Sequence, residues 1–313
     1  SLPLLAAGVR LLAPEWRFHN WRGGALGAVS TLSLWHADEE RARRMIGHSR
    51  SEIERLEQIF SLHRADSEIS RLNRYGAIDA PSRELRAVLD LGQRVGAASS
   101  GAFDVTVQPL WSLYSAHFQS DDADPAGPDP RAVARTAEHV DYRGVDIGRR
   151  AIAFDRPGMA VTLNGIAQGF ITDRVADMLR DAGFEHVVAD LGEVRTLGGH
   201  PDGRPWRVGI KDPASPGNVA GTIEITNQAV AVSGGYATPF DAAGRHHHIF
   251  DPATGRSASR LLDVAVIAPR ATVADALSTA IFAAGEERAR GLLAAFPGTR
   301  ARITRRDNTT AAL

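Results

Sequence analysis

In the stretch Ala274-Asp275-Ala276-Leu277-Ser278-Thr279 a carboxylate and a hydroxyl stand four residues apart among small and apolar neighbours. On a helix that spacing puts Asp275 and Thr279 on one face. The face is then buried, and a buried carboxylate needs a partner. Oxygen from both side chains suits a hard cation such as magnesium. Thr272 is placed to cap the helix, leaving its first N–H groups turned toward an anion. The same residues also fit a simpler account, an aspartate near a helix N-terminus favoured by the dipole alone.

Three further stretches invite chemistry. Thr162-Leu163-Asn164-Gly165-Ile166-Ala167-Gln168-Gly169-Phe170 leaves an apolar strand and enters a helix through two glycines. Gly165 and Gly169 let another group approach the backbone closely, either a phosphate or flavin or a packed neighbour. Arg245-His246-His247-His248-Ile249-Phe250 carries three consecutive histidines. Read as a strand, it turns His247 away from the other two, so the three do not converge on one ion. The sharper role is a single histidine as general base. The following Asp251-Pro252-Ala253-Thr254-Gly255 is a turn signature. Ser99-Ser100-Gly101-Ala102-Phe103-Asp104-Val105-Thr106-Val107-Gln108-Pro109-Leu110-Trp111 is a glycine turn running into a β-branched stretch, and alone it says little.

Composition bounds the rest. The chain has 313 residues, 43% hydrophobic and 23% charged, enough for one large α+β domain or two lobes around a cleft. A formal net charge of -1 gives no reason to expect nucleic acid or an anionic membrane as partner. There is no cysteine, which removes thiol nucleophiles, thiolate metal sites and disulfides. Lys211 is the only lysine and sits in a loop-like stretch up to Pro213, a poor setting for a catalytic amine. No apolar run reaches the roughly 18 residues a membrane helix needs. The run Leu2 to Val9, broken by Arg10, reads as the remnant of a signal-peptide core or an ordinary tail. With Ser1 at the start, a trimmed, exported form is expected.

The elements that must position these residues follow from periodicity. Residues 1–20 read as an N-terminal tail and 21–313 as one domain. A strand is expected over 25–35, an amphipathic helix over 37–60 and a second helix from Glu84 to Ala98. Ser120 to Pro130 reads as a surface loop. Asp146–Ala153 and Gly158–Leu163 read as paired strands, followed by a helix from Ile166 to Ala182 stopped by Gly183. Strands are expected near 186–190, 206–210, 221–226, 229–233, 245–250 and 263–268. A last helix begins near Thr272 and runs past Gly285 toward Phe296, and an edge strand is expected over Arg300–Arg306 around Ile303. Helices and antiparallel-looking strands in mixed order argue for α+β rather than a doubly wound sheet.

Taken in order, these segments resemble the ApbE family of FAD:protein FMN transferases, as do Ser67-Glu68-Ile69-Ser70-Arg71-Leu72-Asn73 and Asp190-Leu191-Gly192-Glu193. The resemblance spans about residues 25–300. Around Thr162–Gly169 and Leu191-Gly192-Glu193 it looks most like the branch that serves nitrous-oxide reductase maturation. It implies a two-lobed, T-fold-related α+β architecture with FAD in a cleft between lobes. Ala102, Phe103 and Asp104 would lie along the FAD, Thr162 and Gln168 would contact it, and Ile249 would pack on it. Gly165, through its carbonyl, and Asp275 and Thr279, through their side chains, would hold Mg2+, with Ser278 a weaker candidate. His248 matches the proposed base. The implied reaction moves FMN from FAD to a Thr or Ser hydroxyl of a partner, a membrane-bound electron-transfer protein served in the periplasm, and releases AMP. The alternatives are an FAD carrier and an FAD pyrophosphatase. The chain departs from the family's usual residues at three places. Leu26-Gly27 stands for Met-Gly, Thr162–Gly169 for Asp-Leu-Gly-Gly-Ile-Ala-Lys-Gly, and Ser233-Gly234-Gly235-Tyr236 for Ser-Gly-Asp-Tyr.

Overall fold

The computed structural model describes residues 15–212 and 218–313, so the leader-like run at Leu2–Val9 and Pro213 lie outside the described residues. The first element is a hairpin of β1 (Arg17–Ala25) and β2 (Ala28–His36), turned by Leu26 and Gly27, both at positive φ. The tail expected to residue 20 therefore ends sooner, and the strand expected over 25–35 is half of a pair. Polar residues and two glycines dominate β1, and only Ala25 is buried while Trp21 packs half-buried on the core, so this edge strand carries little apolar signal.

Helix α1 (Glu39–Phe60) starts at Asp38, whose side chain accepts from the Arg41 N–H, and buries Ile53, Leu56, Ile59 and Phe60. Helix α2 (Glu68–Tyr75) is capped by Ser67 and stopped by left-handed Gly76. After β3 (Ala77–Asp79) come α3 (Arg83–Ala98), α4 (Gln108–Phe118) and α5 (Pro130–Ala137). Strands β4 (Val145–Ile147) and β5 (Ala151–Phe154) form a small sheet with β3, in the order β3-β5-β4.

Residues 158–163 are not the strand expected there. The buried backbone of Val161 is paired instead by the Asn73 amide, which donates to its carbonyl at 2.8 Å and accepts from its N–H at 2.7 Å. The Thr162 N–H donates to the Val105 carbonyl. A side chain of α2 thus anchors the entrance to the Thr162–Gly169 loop. Asn73→Ala leaves both Val161 groups unpaired and is expected to cost about 1–3 kcal/mol of stability, read from the midpoint of a urea unfolding curve.

Helix α6 (Ala167–Asp181) ends before Gly183 at positive φ. Then follow β6 (His186–Asp190), β7 (Val194–Leu197), β8 (Trp206–Lys211), β9 (Val219–Ile225), β10 (Ala229–Gly234), β11 (Phe250–Asp251), β12 (Arg256–Ser257) and β13 (Leu261–Ala268). Helices α7 (Ala271–Ala284) and α8 (Glu286–Ala295) meet at Gly285, and β14 (Arg300–Arg305) and β15 (Thr310–Ala312) close the chain. Lys211 ends a strand rather than lying in a loop. β14 is not an edge, since β15 pairs outside it.

Eight strands among the described residues form one antiparallel sheet, ordered β1-β2-β6-β7-β10-β13-β14-β15, and helices cover one of its faces, the α+β class read from the sequence. On one face α6 and α7 bury Ala231, Val264 and Val266 in the main core. On the other the β8–β9 hairpin lays Trp206, Ile210 and Ile225 over Val230, Ala265 and Ile267. Leu110, Tyr114, Val133 and Phe250 make a separate smaller core.

Candidate active site

Helix α7 begins beside a buried carboxylate. Its N-cap is Arg270, and Thr272 lies inside the helix, so Thr272 does not cap it as expected. The anion at this N-terminus is Asp173 of α6, which accepts from the Ala271 N–H at 2.9 Å, the Thr272 N–H at 3.0 Å and the Thr272 hydroxyl at 2.6 Å. Arg195 pairs with Asp173 at 2.7 Å and Arg270 at 3.2 Å, so the buried charge is compensated. The first turn of α7 is therefore fixed to α6 and closed to an outside anion.

One turn on, the Asp275 carboxylate accepts from the Gly169 N–H at 3.0 Å. A Cβ on Gly169 would stand 2.6 Å from the Ala271 carbonyl carbon. Gly169 therefore serves helix–helix packing, the plainer of its two readings. Gly165 is different. A Cβ there would lie 3.0 Å from Thr279 Oγ1 and 3.4 Å from Phe103 Cε2, so glycine leaves that spot open. Ser233 Oγ lies 2.8 Å from Ser278 Oγ and 3.0 Å from Thr279 Oγ1, and Ser278 Oγ donates to the Asp275 carbonyl. Gly165, Phe103, Ser233, Ser278 and Thr279 are thus brought together, with Asp275 on the same helix.

Burial pushes the Asp275 carboxyl up to about 7, with the Gly169 N–H opposing and the Asp173 charge adding to the rise. Burial also pushes Glu193 well above the usual carboxylate range, and Asp275 contributes to that shift. Glu193 was legible only as part of the Asp190–Glu193 signature, without a role. The structure makes it the second acidic neighbour of Asp275. Two such carboxylates fit a cation between protein and ligand, and the other donors, a hydroxyl and a carbonyl, are hard oxygens. No three His, Asp or Glu side chains converge on a metal position among the described residues.

A stability test follows. The folded pKa of Asp275, about 7, lies above its unfolded 3.8, so between these values the metal-free folded state binds more protons than the unfolded chain. Stability contributed by protonated Asp275 is lost as pH rises through about 7. In EDTA the Tm of the wild type is expected to fall relative to that of Asp275→Asn from pH 6.5 to 8, and magnesium is expected to raise the wild-type Tm more at pH 8. Thermal melts check this; a wild-type Tm that rises relative to Asp275→Asn across that window contradicts it.

The remaining candidates sit around this centre. The Gln168 amide lies against Gly192, where a Cβ would be 2.9 Å from Nε2. The Thr162 hydroxyl accepts from the Asn164 N–H at 3.3 Å. Phe103 is buried and Ala102 half-buried against the main core. Asp104 is engaged within its own loop. One oxygen accepts from the Thr106 N–H and hydroxyl, the other from the Tyr142 N–H, and burial raises its pKa. Ile249 is buried.

The three histidines do not lie in a strand; β11 starts only at Phe250, and His247 makes a single bridge to Pro239. His246 packs on Tyr114 and Phe118, and His247 is buried against Phe282. His248 Nδ1 is buried with no hydrogen-bond partner. Burial, then the neighbouring His247, pushes His248 down to about 4, away from the 6.5 of a free imidazole. It is neutral at pH 7, a proton acceptor with no carboxylate bonded behind it.

Residues 26–303 match the model of the ApbE family. An FAD:protein FMN transferase of Vibrio cholerae is 34% identical over 250 residues, covering 75% of this chain and 72% of that protein. One from Treponema pallidum is 33% identical over 268 residues, covering 79% and 73%. Among solved structures, a flavin transferase ApbE from Vibrio cholerae has a TM-score of 0.81 at 26% identity, covering 95% of this chain and 97% of that one. An ApbE protein from Thermotoga maritima gives 0.80 at 26% identity, covering 94% and 96%.

Proposed function

The chain belongs to the ApbE family, and we propose that it transfers FMN from FAD to a Thr or Ser hydroxyl of an acceptor protein, releasing AMP. The observation that carries this reading is the meeting of Gly165 with Thr279 beside the buried Asp275 carboxylate. In this proposal Asp275, Thr279 and the Gly165 carbonyl hold Mg2+, and Ser278 orients Thr279 through Ser233. FAD lies along Ala102, Phe103 and Asp104, with Thr162 and Gln168 in contact and Ile249 packed on it. When bound, magnesium supplies charge neutralisation for a pyrophosphate under attack.

The chain's own residues do the rest. Gly165 brings its backbone close to Thr279 and Phe103, where a side chain would crowd α7. Asp104 fixes the 101–106 turn by bonding Thr106 and Tyr142. The acceptor oxygen bonds to the phosphorus on the FMN side while the bond from that phosphorus to the bridging oxygen breaks, and AMP takes the electron pair. His248 accepts the hydroxyl proton. Its low proton affinity in the free cleft rises once anionic phosphates stand near it. Phosphates close to a neutral imidazole thus turn a weak base into an adequate one.

The acceptor in this proposal is a membrane-bound electron-transfer protein such as one supporting nitrous-oxide reductase, and the site of action is the periplasm. The family resemblance is what supports that placement. AMP release with and without acceptor tests the reaction. A transferase releases AMP only with acceptor, a pyrophosphatase with water alone, and an FAD carrier not at all.

A further inference from the structure

We propose that His247 is a positioning residue of the transfer site, joining the helix that carries Asp275 and Thr279 to the loop that carries His248. The inference rests on the transferase reading and adds to it.

The His248 ring is loosely held: Nδ1 is unpartnered, and the Thr238 carbonyl, which also accepts the His248 backbone N–H at 3.2 Å, is the one hydrogen-bonding group that acts on the ring. The rest of its orientation comes from packing against its neighbours. His247 is held at every polar atom. Its N–H donates to Ser257 Oγ at 2.8 Å, and that hydroxyl donates back to its carbonyl at 2.8 Å. On the ring, Nε2 lies 2.8 Å from the Ala258 carbonyl, and the Ile249 N–H reaches Nδ1 at 3.3 Å. A carbonyl only accepts, so Nε2 carries the proton and Nδ1 is left to accept. The neutral ring satisfies both bonds; a doubly protonated ring would set N–H against N–H at Ile249.

The ring also touches both sides of the site. It meets Phe282 edge-on, centroids 5.7 Å apart at 70°. Phe282 lies one turn beyond Thr279 on α7. Its other neighbour is Gly235, where a Cβ would come within 2.6 Å of His247 Nε2. Gly235 and the ring of His247 are two halves of one fit, linking the end of β10, α7 and the loop at His248.

The test measures FMN transfer to an acceptor, together with FAD affinity by flavin fluorescence, for wild type, His247→Ser, His247→Gln, Gly235→Ala and the Ser/Ala double variant. His247→Ser is expected to lower kcat by ~100-fold, the scale of a misplaced reacting group, with FAD affinity and acceptor KM unchanged. His247→Gln, which restores a donor toward Ala258, is expected to recover most of that loss. Gly235→Ala crowds the ring and is expected to lower kcat in wild type, yet to add nothing in the Ser background. Should His247→Ser not fold, the fall in kcat with FAD affinity retained in Gly235→Ala, against near-wild-type kcat in His247→Gln, carries the prediction. Wild-type kcat in Gly235→Ala, losses that add in the double variant, or FAD affinity falling in step with kcat overturns the proposal. A wild-type protein that transfers no FMN defeats the transferase reading itself, which the wild-type arm reports separately.

Discussion

Asp275→Ala is expected to remove transfer in saturating magnesium almost entirely, by about 10³-fold or more. Metal neutralisation of a reacting pyrophosphate is worth several kcal/mol, and each 1.4 kcal/mol is about tenfold in rate. Asp275 is the carboxylate of the proposed donor set, and it is buried, so no neighbour on the surface replaces it. Asp275→Asn separates charge from shape: it keeps an oxygen for the Gly169 N–H. Both variants are expected to bind magnesium weakly by titration calorimetry and to remain folded, since α7 is fixed at its first turn by Asp173. Activity unchanged in excess magnesium shows the ligand assignment to be wrong.

His248→Ala is expected to lower kcat by roughly 10²–10⁴-fold, the usual worth of a general base, while FAD affinity is retained. The pH profile carries a second signature. Burial pushes His248 down to about 4, so its neutral, proton-accepting form persists well below pH 6.5. The acid limb of kcat/KM assigned to it should therefore lie near 4, and it should vanish in the alanine variant. Loss of FAD binding equal to the loss of rate sinks the base assignment.

Much of the scaffold was legible because long helices announce themselves. Buried Ile53, Leu56, Ile59 and Phe60 in α1, and the glycine that follows α6, carry the pattern that a helix must have, whereas the eight-residue α2, capped by Ser67 and stopped by Gly76, is too short to show it. The misses share a cause. β1 and residues 158–163 satisfy their backbones by means that hydrophobic periodicity does not report, one at a sheet edge, the other through the Asn73 amide. The segment 245–249 reads as a strand and folds as a loop because His247 bonds Ser257 and Ala258 across it.

At the site, the Asp275–Thr279 spacing foretold the shared helix, and Gly165 foretold close approach. Which glycine faces the site and which only packs was not readable, since that depends on Thr279 and Ala271 arriving from far along the chain. The anion at the α7 N-terminus, Asp173, was invisible for the same reason, and so was the closeness of Glu193 to Asp275. Residue types and spacing display chemistry within one element; partners contributed by another element need the fold.

The central claim is that this chain places FMN on an acceptor hydroxyl. Intact-mass spectrometry of a candidate acceptor subunit, incubated with the protein, FAD and magnesium, tests it most directly. The account predicts a mass increase matching one FMN ester, lost in EDTA, in Asp275→Ala and in His248→Ala. FAD bound by the protein with AMP released into water, and every acceptor left at its original mass, would contradict it.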